Sequence, residues 1–234
     1  LPKDLSVEDI LVHSSNIGSV KIGQIIGKER LQKFLKKIGI LSQLEFDIEE
    51  IGKPSSFRWR DCKLKTVSYG HGVTTTPIQL AKGYAILTNG GYDVKPTLIK
   101  EKFSNKKKKR ILNKNVSKQI NKILRKVVTH GTATLSDVEG YEVGGKTGTA
   151  QIVENGVYTN KKINTFASVF PSSNPKYVLV ILLEDTKLSK DYVYKYRNKP
   201  GSYKGTPFNT AGWTSVEITG KIIDKIGPIL ATKY

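Results

Sequence analysis

At 234 residues, with 38% apolar residues and a formal net charge of +19, the chain is long enough for one sizeable core and too apolar for wholesale disorder. Its single cysteine, Cys62, excludes an internal disulfide framework and any multi-cysteine metal site, and no run approaches the roughly 18 apolar residues that a membrane span needs. The charge favours polyanions, anionic head groups or carboxylate-bearing polymers as partners without choosing among them. The chain starts at Leu1, lacks methionine and shows no signal-peptide pattern, so it reads as a piece of something longer, with any anchor expected upstream.

In chain order, Ser6-Val7-Glu8-Asp9 resembles a capping box and predicts a short helix through Ile10-Leu11-Val12, leading into His13-Ser14-Ser15-Asn16. Apolar spacing from Ile17 to Ile26 and from Leu31 to Ile38 predicts two helices broken near Gly27, with Gly39 past the second one's end. Ser42 to Ser68 has no sustained period and is expected to be mostly loop. Thr76-Pro77 supplies a cap and a first-turn proline for a buried helix through Leu87, closed by Gly90-Gly91. An extended segment is expected over Tyr92 to Phe103 and a helix over Val116 to Val128.

Between those two, Lys102 to Lys126 holds eleven basic residues and no acid, centred on Lys106-Lys107-Lys108-Lys109-Arg110. No aromatic follows Phe103 to stack on bases, so the tract reads as a solvated lysine-rich face and no nucleic-acid partner is expected. Further on, Glu142 to Ile152, Thr165 to Phe170 and Tyr177 to Leu183 read as strands, and their short connections predict sequential antiparallel pairing. An irregular Tyr- and Lys-rich segment precedes a last helix, Val216 to Ile226, which Pro228 is expected to end. The pattern is α+β, an antiparallel sheet with surrounding helices, in one domain over residues 1–234.

Two clusters carry chemistry. Lys146-Thr147-Gly148-Thr149 lies in the first strand after Gly144-Gly145, and glycines in a strand ask for something that approaches its backbone; a ligand along the strand edge would do so. Such a strand offers backbone groups to an extended peptide, two hydroxyls to its carboxylate and an ammonium that makes the site positive. Ser14-Ser15-Asn16, at a helix junction, presents a hydroxyl able to relay a proton and a carboxamide able to hold an amide, with helix capping as the competing role. His71, flanked by Gly70 and Gly72, reads as part of a tight turn rather than as a catalytic group.

Ser-x-Asn followed by Lys-Thr-Gly is part of the signature of penicillin-binding proteins and class A β-lactamases. With Ser14-Ser15-Asn16-Ile17-Gly18, Ser68-Tyr69-Gly70-His71-Gly72, Thr76-Pro77-Ile78-Gln79-Leu80-Ala81, Asn89-Gly90-Gly91 and Gly144 to Gln151, the chain resembles the class B penicillin-binding proteins over nearly its whole length. The Tyr-Gly-His-Gly element is more similar to the division-specific, septal transpeptidases than to the elongation type.

That resemblance implies a partial penicillin-binding transpeptidase or β-lactamase-like fold and peptidoglycan D,D-transpeptidation. It implies stem peptides and β-lactam antibiotics as ligands, division membrane proteins as partners, and a place at the periplasmic face of the inner membrane. It implies neither cofactor nor metal. Ser14, Asn16 and Lys146 would be catalytic, and Ser15, Thr147, Gly148 and Thr149 would bind substrate, the Thr149 N–H serving an oxyanion hole. The family's Ser-x-x-Lys nucleophile is expected upstream of Leu1, so the chain alone is expected to be inactive. Ser104-Asn105-Lys106-Lys107 and Ser173-Asn174-Pro175-Lys176 match the pattern, but neither opens a buried helix. A β-lactamase or sensor using Glu142 or Glu154, and a non-enzymatic polyanion-binding module, are the alternatives.

Overall fold

The computed structural model describes residues 4–48, 52–100, 109–187, 189–205 and 208–233. The chain divides into two compact units, residues 1–10 with 15–120, and residues 11–14 with 121–234.

The first unit is helical. In α1 (Val7–Val12), Ser6 and Asp9 cap each other, the Asp9 N–H donating to Ser6 Oγ at 3.1 Å and the Ser6 N–H to Asp9 Oδ2 at 3.3 Å. Helices α2 (Asn16–Ile26) and α3 (Lys28–Lys37) meet at Gly27, whose φ of +81° suits a residue without Cβ. Gly39 follows the second helix with φ +87°, as the sequence predicts.

Residues 42–68 are not all loop, because α4 (Asp61–Ser68) forms there. It buries only Val67 and has no side-chain cap, so its own pattern is faint. Packing supplies the rest: a Cβ on Gly23 of α2 would lie 1.8 Å from Ser68 Oγ, so the two helices approach closely where only glycine fits.

Helix α5 (Pro77–Thr88) opens with a full capping box, the Gln79 N–H donating to Thr76 Oγ1 at 3.2 Å and the Thr76 N–H to Gln79 Oε1 at 2.9 Å. The same Gln79, fully buried, donates from Nε2 to the Ser42 carbonyl at 2.6 Å and fastens the 39–42 turn to the helix. Of the extended segment expected over Tyr92 to Phe103, the described residues, 92–100, contribute only an isolated bridge, Tyr92 to Arg110. Pro96 lacks a ladder donor, and Asp47 takes up Thr97 Oγ1 at 2.6 Å and the Leu98 N–H, turning the chain instead. Residues 101–108, with Lys106 to Lys108 and the Ser104 motif, lie outside the described residues.

The second unit is built on a three-stranded antiparallel sheet, β1 (Gly144–Glu154), β2 (Val157–Phe170) and β3 (Tyr177–Glu184), in the order β1-β2-β3. Asn155 and Gly156, both at positive φ, make the two-residue hairpin turn. Pairing sets Lys146 opposite Ala167, Thr147 opposite Phe166 and Thr149 opposite Asn164. The end of α6 (Lys114–Thr129) and α7 (Ser215–Ala231) cover the core of Val127, Val128, Val143, Phe166, Val216 and Ile223.

Pro228 does not end α7 but sits inside it. A proline costs a helix its bond to the carbonyl four residues back, here that of the exposed Asp224, which water can serve. The irregular segment before α7 contains a small hairpin, β4 (Val193–Lys195) with β5 (Ser202–Lys204). Its turn sends Arg197 to the buried Glu217 at 3.0 Å and Asn198 to the buried Asp137 at 2.8 Å. Asp137 also pairs with Arg125 at 2.6 Å, so each buried carboxylate is partnered rather than stranded.

Candidate active site

The second unit brings Ser14 and Lys146, 132 residues apart in sequence, into contact. Lys146 Nζ donates to Ser14 Oγ at 2.7 Å and to the Thr147 carbonyl at 3.1 Å. Ser14 holds a left-handed backbone, φ +56°, immediately past α1, an uncommon conformation for serine. What seats it is Val12, buried in the second unit's core, whose carbonyl lies 2.5 Å from where a Cβ on Gly131 would stand. Gly131 is therefore a packing glycine that lets the segment bearing Ser14 down onto the end of α6.

Burial pulls the Lys146 amine down from 10.5 to about 8, because an ammonium is poorly solvated there. About one-tenth of it is then neutral at pH 7, and the ammonium loses its proton far more readily than a surface lysine would. The Ser14 hydroxyl beside it can pass that proton on.

Gly144 and Gly145 are explained differently from the sequence expectation. A Cβ on Gly145 would stand 2.6 Å from both the Ala167 carbonyl oxygen and the Phe166 ring, and one on Gly144 would stand 3.1 Å from the Arg125 nitrogen. What approaches those glycines is the protein's own helix and neighbouring strand, not a ligand. Gly148 differs: its nearest neighbour to a Cβ would be the Thr165 carbonyl at 4.0 Å, so no packing among the described residues demands a glycine there.

β1 pairs with β2 alone, which leaves its other edge unpaired among the described residues. An extended peptide could add there as a strand. Beside this edge the Thr147 and Thr132 hydroxyls meet at 2.7 Å. Thr149 Oγ1 donates to Asn164 Oδ1 at 3.1 Å and accepts from the Ala211 N–H at 3.0 Å.

Ser15 and Asn16 belong to the first unit. Ser15 is the N-cap of α2, its hydroxyl accepting from the Gly18 N–H at 3.2 Å, and Asn16 is the exposed first residue of that helix. In the same unit His71 lies between Gly70 and Gly72, at φ +86° and +72°, in keeping with a tight turn. The glutamates that a β-lactamase reading would recruit are engaged elsewhere. Glu142 accepts from the Ser173 hydroxyl, which also occupies the serine of the second Ser-x-x-Lys match, and Glu154 pairs with Lys161 at 2.8 Å.

Thr132, Asn164 and Asn209 were not legible as site residues. Thr132 sits in a plain His-Gly-Thr-Ala run after a helix, and Asn164 carries no signal except a polar residue at an inward position of a strand.

Comparison with known proteins bears on the family and the fold. The family model described as penicillin binding protein transpeptidase domain matches residues 2–203. A probable peptidoglycan D,D-transpeptidase FtsI of Caulobacter vibrioides is 28% identical over 98% of this chain and 39% of its own length. Stage V sporulation protein D of Bacillus subtilis is 34% identical over 76% of this chain and 30% of its own. The chain thus spans less than two fifths of either relative. In fold it matches the transpeptidase domain of Burkholderia pseudomallei penicillin-binding protein 3 at a TM-score of 0.79, with 23% identity over 96% of this chain and 65% of that one. It matches penicillin-binding protein 3 of Mycobacterium tuberculosis, solved with aztreonam, at 0.77, with 23% identity over 95% of this chain and 52% of that one.

Proposed function

Because the chain belongs to the penicillin-binding protein transpeptidase family, we propose that it supplies the proton-relay and carboxylate-binding wall of a peptidoglycan D,D-transpeptidase. In that reaction a serine oxygen bonds to the penultimate D-Ala carbonyl of a stem peptide, the terminal D-Ala leaves as its protonated amine, and an amine of a neighbouring stem displaces the serine. β-Lactams would acylate the same serine. The observation that carries the reading is the 2.7 Å hydrogen bond from Lys146 Nζ to Ser14 Oγ, made by an amine whose pKa is pulled to about 8.

Ser14 and Lys146 would deliver the proton to the departing nitrogen, and Asn16 would hold the substrate amide. Thr147 and Thr149 would bind the terminal carboxylate along the free edge of β1, with Gly148 leaving room for the approach and the Thr149 N–H facing the developing oxyanion. Ser15 would act by capping the helix that presents Asn16. Among the described residues no serine followed three positions on by a lysine opens a buried helix, so the chain alone is proposed to be inert toward penicillin. The whole protein would act at the septum from the periplasmic side of the inner membrane, held by a segment outside residues 1–234; among the described residues no helix could cross a membrane.

The test is titration of the chain with a peptide ending in D-Ala-D-Ala and with its C-terminal amide, followed by backbone NMR. Shifts should centre on residues 146–151 and weaken roughly tenfold or more for the amide and for Lys146→Met, the loss expected of a charge-assisted hydrogen bond. Equal binding of acid and amide would sink the reading. A fluorescent penicillin should leave the chain unlabelled; stoichiometric labelling of any serine within it would refute the assignment of an external nucleophile.

A further inference from the structure

The first unit carries a cationic cavity that the proposed reaction does not use. It measures about 400 Å³, and its charged lining is Lys36 and Lys37 from the end of α3, Lys82 on α5, Glu45, Asp93 and Lys95. Four ammoniums thus stand with two carboxylates. Hydrogen bonds hold the walls: Gln79 Nε2 donates to the Ser42 carbonyl at 2.6 Å, and the Asp93 N–H donates to the Lys109 carbonyl at 2.8 Å. Little of the positive charge is neutralised within the unit. Lys82, whose side chain is 18% exposed, lies 3.7 Å from Asp93 Oδ1, beyond hydrogen-bond reach. Lys37 Nζ donates to the Ile111 carbonyl at 2.9 Å, which satisfies a proton and leaves the charge. Lys36 and Lys95 are exposed and form no ion pair among the described residues.

Three residues past Lys95 the same segment presents Leu98 and Ile99, 70% and 66% exposed. The turn that puts them there is built. Asp47 Oδ2 accepts from Thr97 Oγ1 at 2.6 Å and from the Leu98 N–H, and the Ile99 N–H donates to Thr97 Oγ1 at 3.0 Å. Asp47 stands two residues from Glu45 in the cavity wall, so tip and cavity are two parts of one surface. Exposed Lys100 follows the tip, and the exposed Arg110 lies against Tyr92, its guanidinium 4.4 Å from the ring centre. Adjacent aliphatic side chains held in water beside a cationic cavity have the composition of a contact surface.

We propose that this surface docks an acidic, partly apolar segment of another protein, its carboxylates entering the lysine-lined cavity and its apolar side chains covering Leu98 and Ile99. Charge complementarity selects an acidic partner, and the rest of the lining selects a protein. A phosphate polymer brings nothing apolar to the tip. The dense negative charge of an anionic bilayer would be set against Glu45 and Asp93 in the cavity wall. A protein segment meets both signs of charge and the aliphatic tip together. The surface includes no residue assigned to the reaction, so the proposal does not rest on the transpeptidase reading.

The experiment is binding of four probes to the folded chain, followed by calorimetry and backbone NMR. They are a helix-forming peptide with glutamates on one face and leucines on the other, a polyglutamate of the same charge, polyphosphate, and phosphatidylglycerol vesicles. At about 150 mM salt, where bare charge attraction is largely screened, the Glu/Leu peptide should bind at least about tenfold more tightly than polyglutamate. Its shifts should centre on residues 36–45 and 93–100. Leu98→Ser with Ile99→Ser should weaken the peptide about tenfold and leave polyglutamate unchanged, the worth of covering aliphatic surface. Lys36→Gln with Lys95→Gln should weaken both roughly three- to tenfold. All four positions are exposed, and the same spectra verify the fold. Equal binding of the peptide and polyglutamate, tighter binding of polyphosphate or vesicles, no binding of the peptide, or an unaffected peptide in either double variant overturns the proposal. Binding of the D-Ala-D-Ala peptide at β1 should be the same in the parent and both variants; its absence from the parent would count against the transpeptidase reading alone.

Discussion

Lys146 is the group whose titration most directly probes this site. Its amine is pulled from 10.5 to about 8 by burial, so between those limits the unfolded chain carries a proton that the folded chain lacks. Stability contributed by this lysine must then rise with pH across that window and be flat below it. Taken at face value the difference is about 3 kcal/mol, and because the side chain is only half-buried, screening by solvent brings the expectation to roughly 1–2 kcal/mol. Urea unfolding of the parent chain and of Lys146→Met at about pH 7.5 and pH 10.5 isolates the term, since the other lysines cancel in the difference; the parent should gain on the variant as pH rises. The midpoint itself is read from ¹³C-labelled lysine side chains, with the resonance missing from Lys146→Met as the assignment. It should fall near 8, and Ser14→Ala, which removes an acceptor that favours the ammonium, should lower it further. A midpoint at or above about 10, or a parent-minus-variant difference that does not change with pH, would refute the argument that burial of Lys146 prepares it for proton transfer.

The two kinds of glycine near the site separate by stability. Gly145→Ala, which places a methyl 2.6 Å from the Ala167 carbonyl oxygen and the Phe166 ring, should cost about 2–4 kcal/mol by thermal or urea unfolding. Gly148→Ala should change stability by less than about 1 kcal/mol and yet weaken binding of the D-Ala-D-Ala peptide to β1. Arg197→Met leaves the buried Glu217 carboxylate without its guanidinium and should cost about 3–5 kcal/mol, while Arg197→Met with Glu217→Leu should recover much of the loss in the same unfolding assay. Gln79→Leu strips both the α5 cap and the donor to the Ser42 carbonyl, and should open residues 39–42 and 76–80 to hydrogen exchange by about 2–3 kcal/mol.

Most helices of the first unit were legible because their signals are local. The Ser6–Asp9 and Thr76–Gln79 boxes and the break at Gly27 are settled by residues within one turn of each other. Helix α4 was not, because its hold on the fold is the Gly23–Ser68 contact across 45 residues, which no periodicity records. Pro228 shows the opposite error: a reliable local breaker is tolerated when the carbonyl it orphans belongs to an exposed residue. Tyr92 to Phe103 has the alternation of a strand, but Asp47 captures its backbone first.

For the site, the sequence determined the participants and the class of chemistry: a Lys-Thr-Gly-Thr strand and a Ser-Ser-Asn junction in one order, with residue types suited to holding a carboxylate and moving a proton. It could not determine which residues meet or what state they are in. That Lys146 reaches Ser14, that its pKa falls, and that Gly144 and Gly145 serve packing and Gly148 does not were decided only by the tertiary structure. The reason is physical: the character of a side chain is local, whereas desolvation, close approach and the direction of a shared proton are properties of neighbours that the chain brings together from far apart.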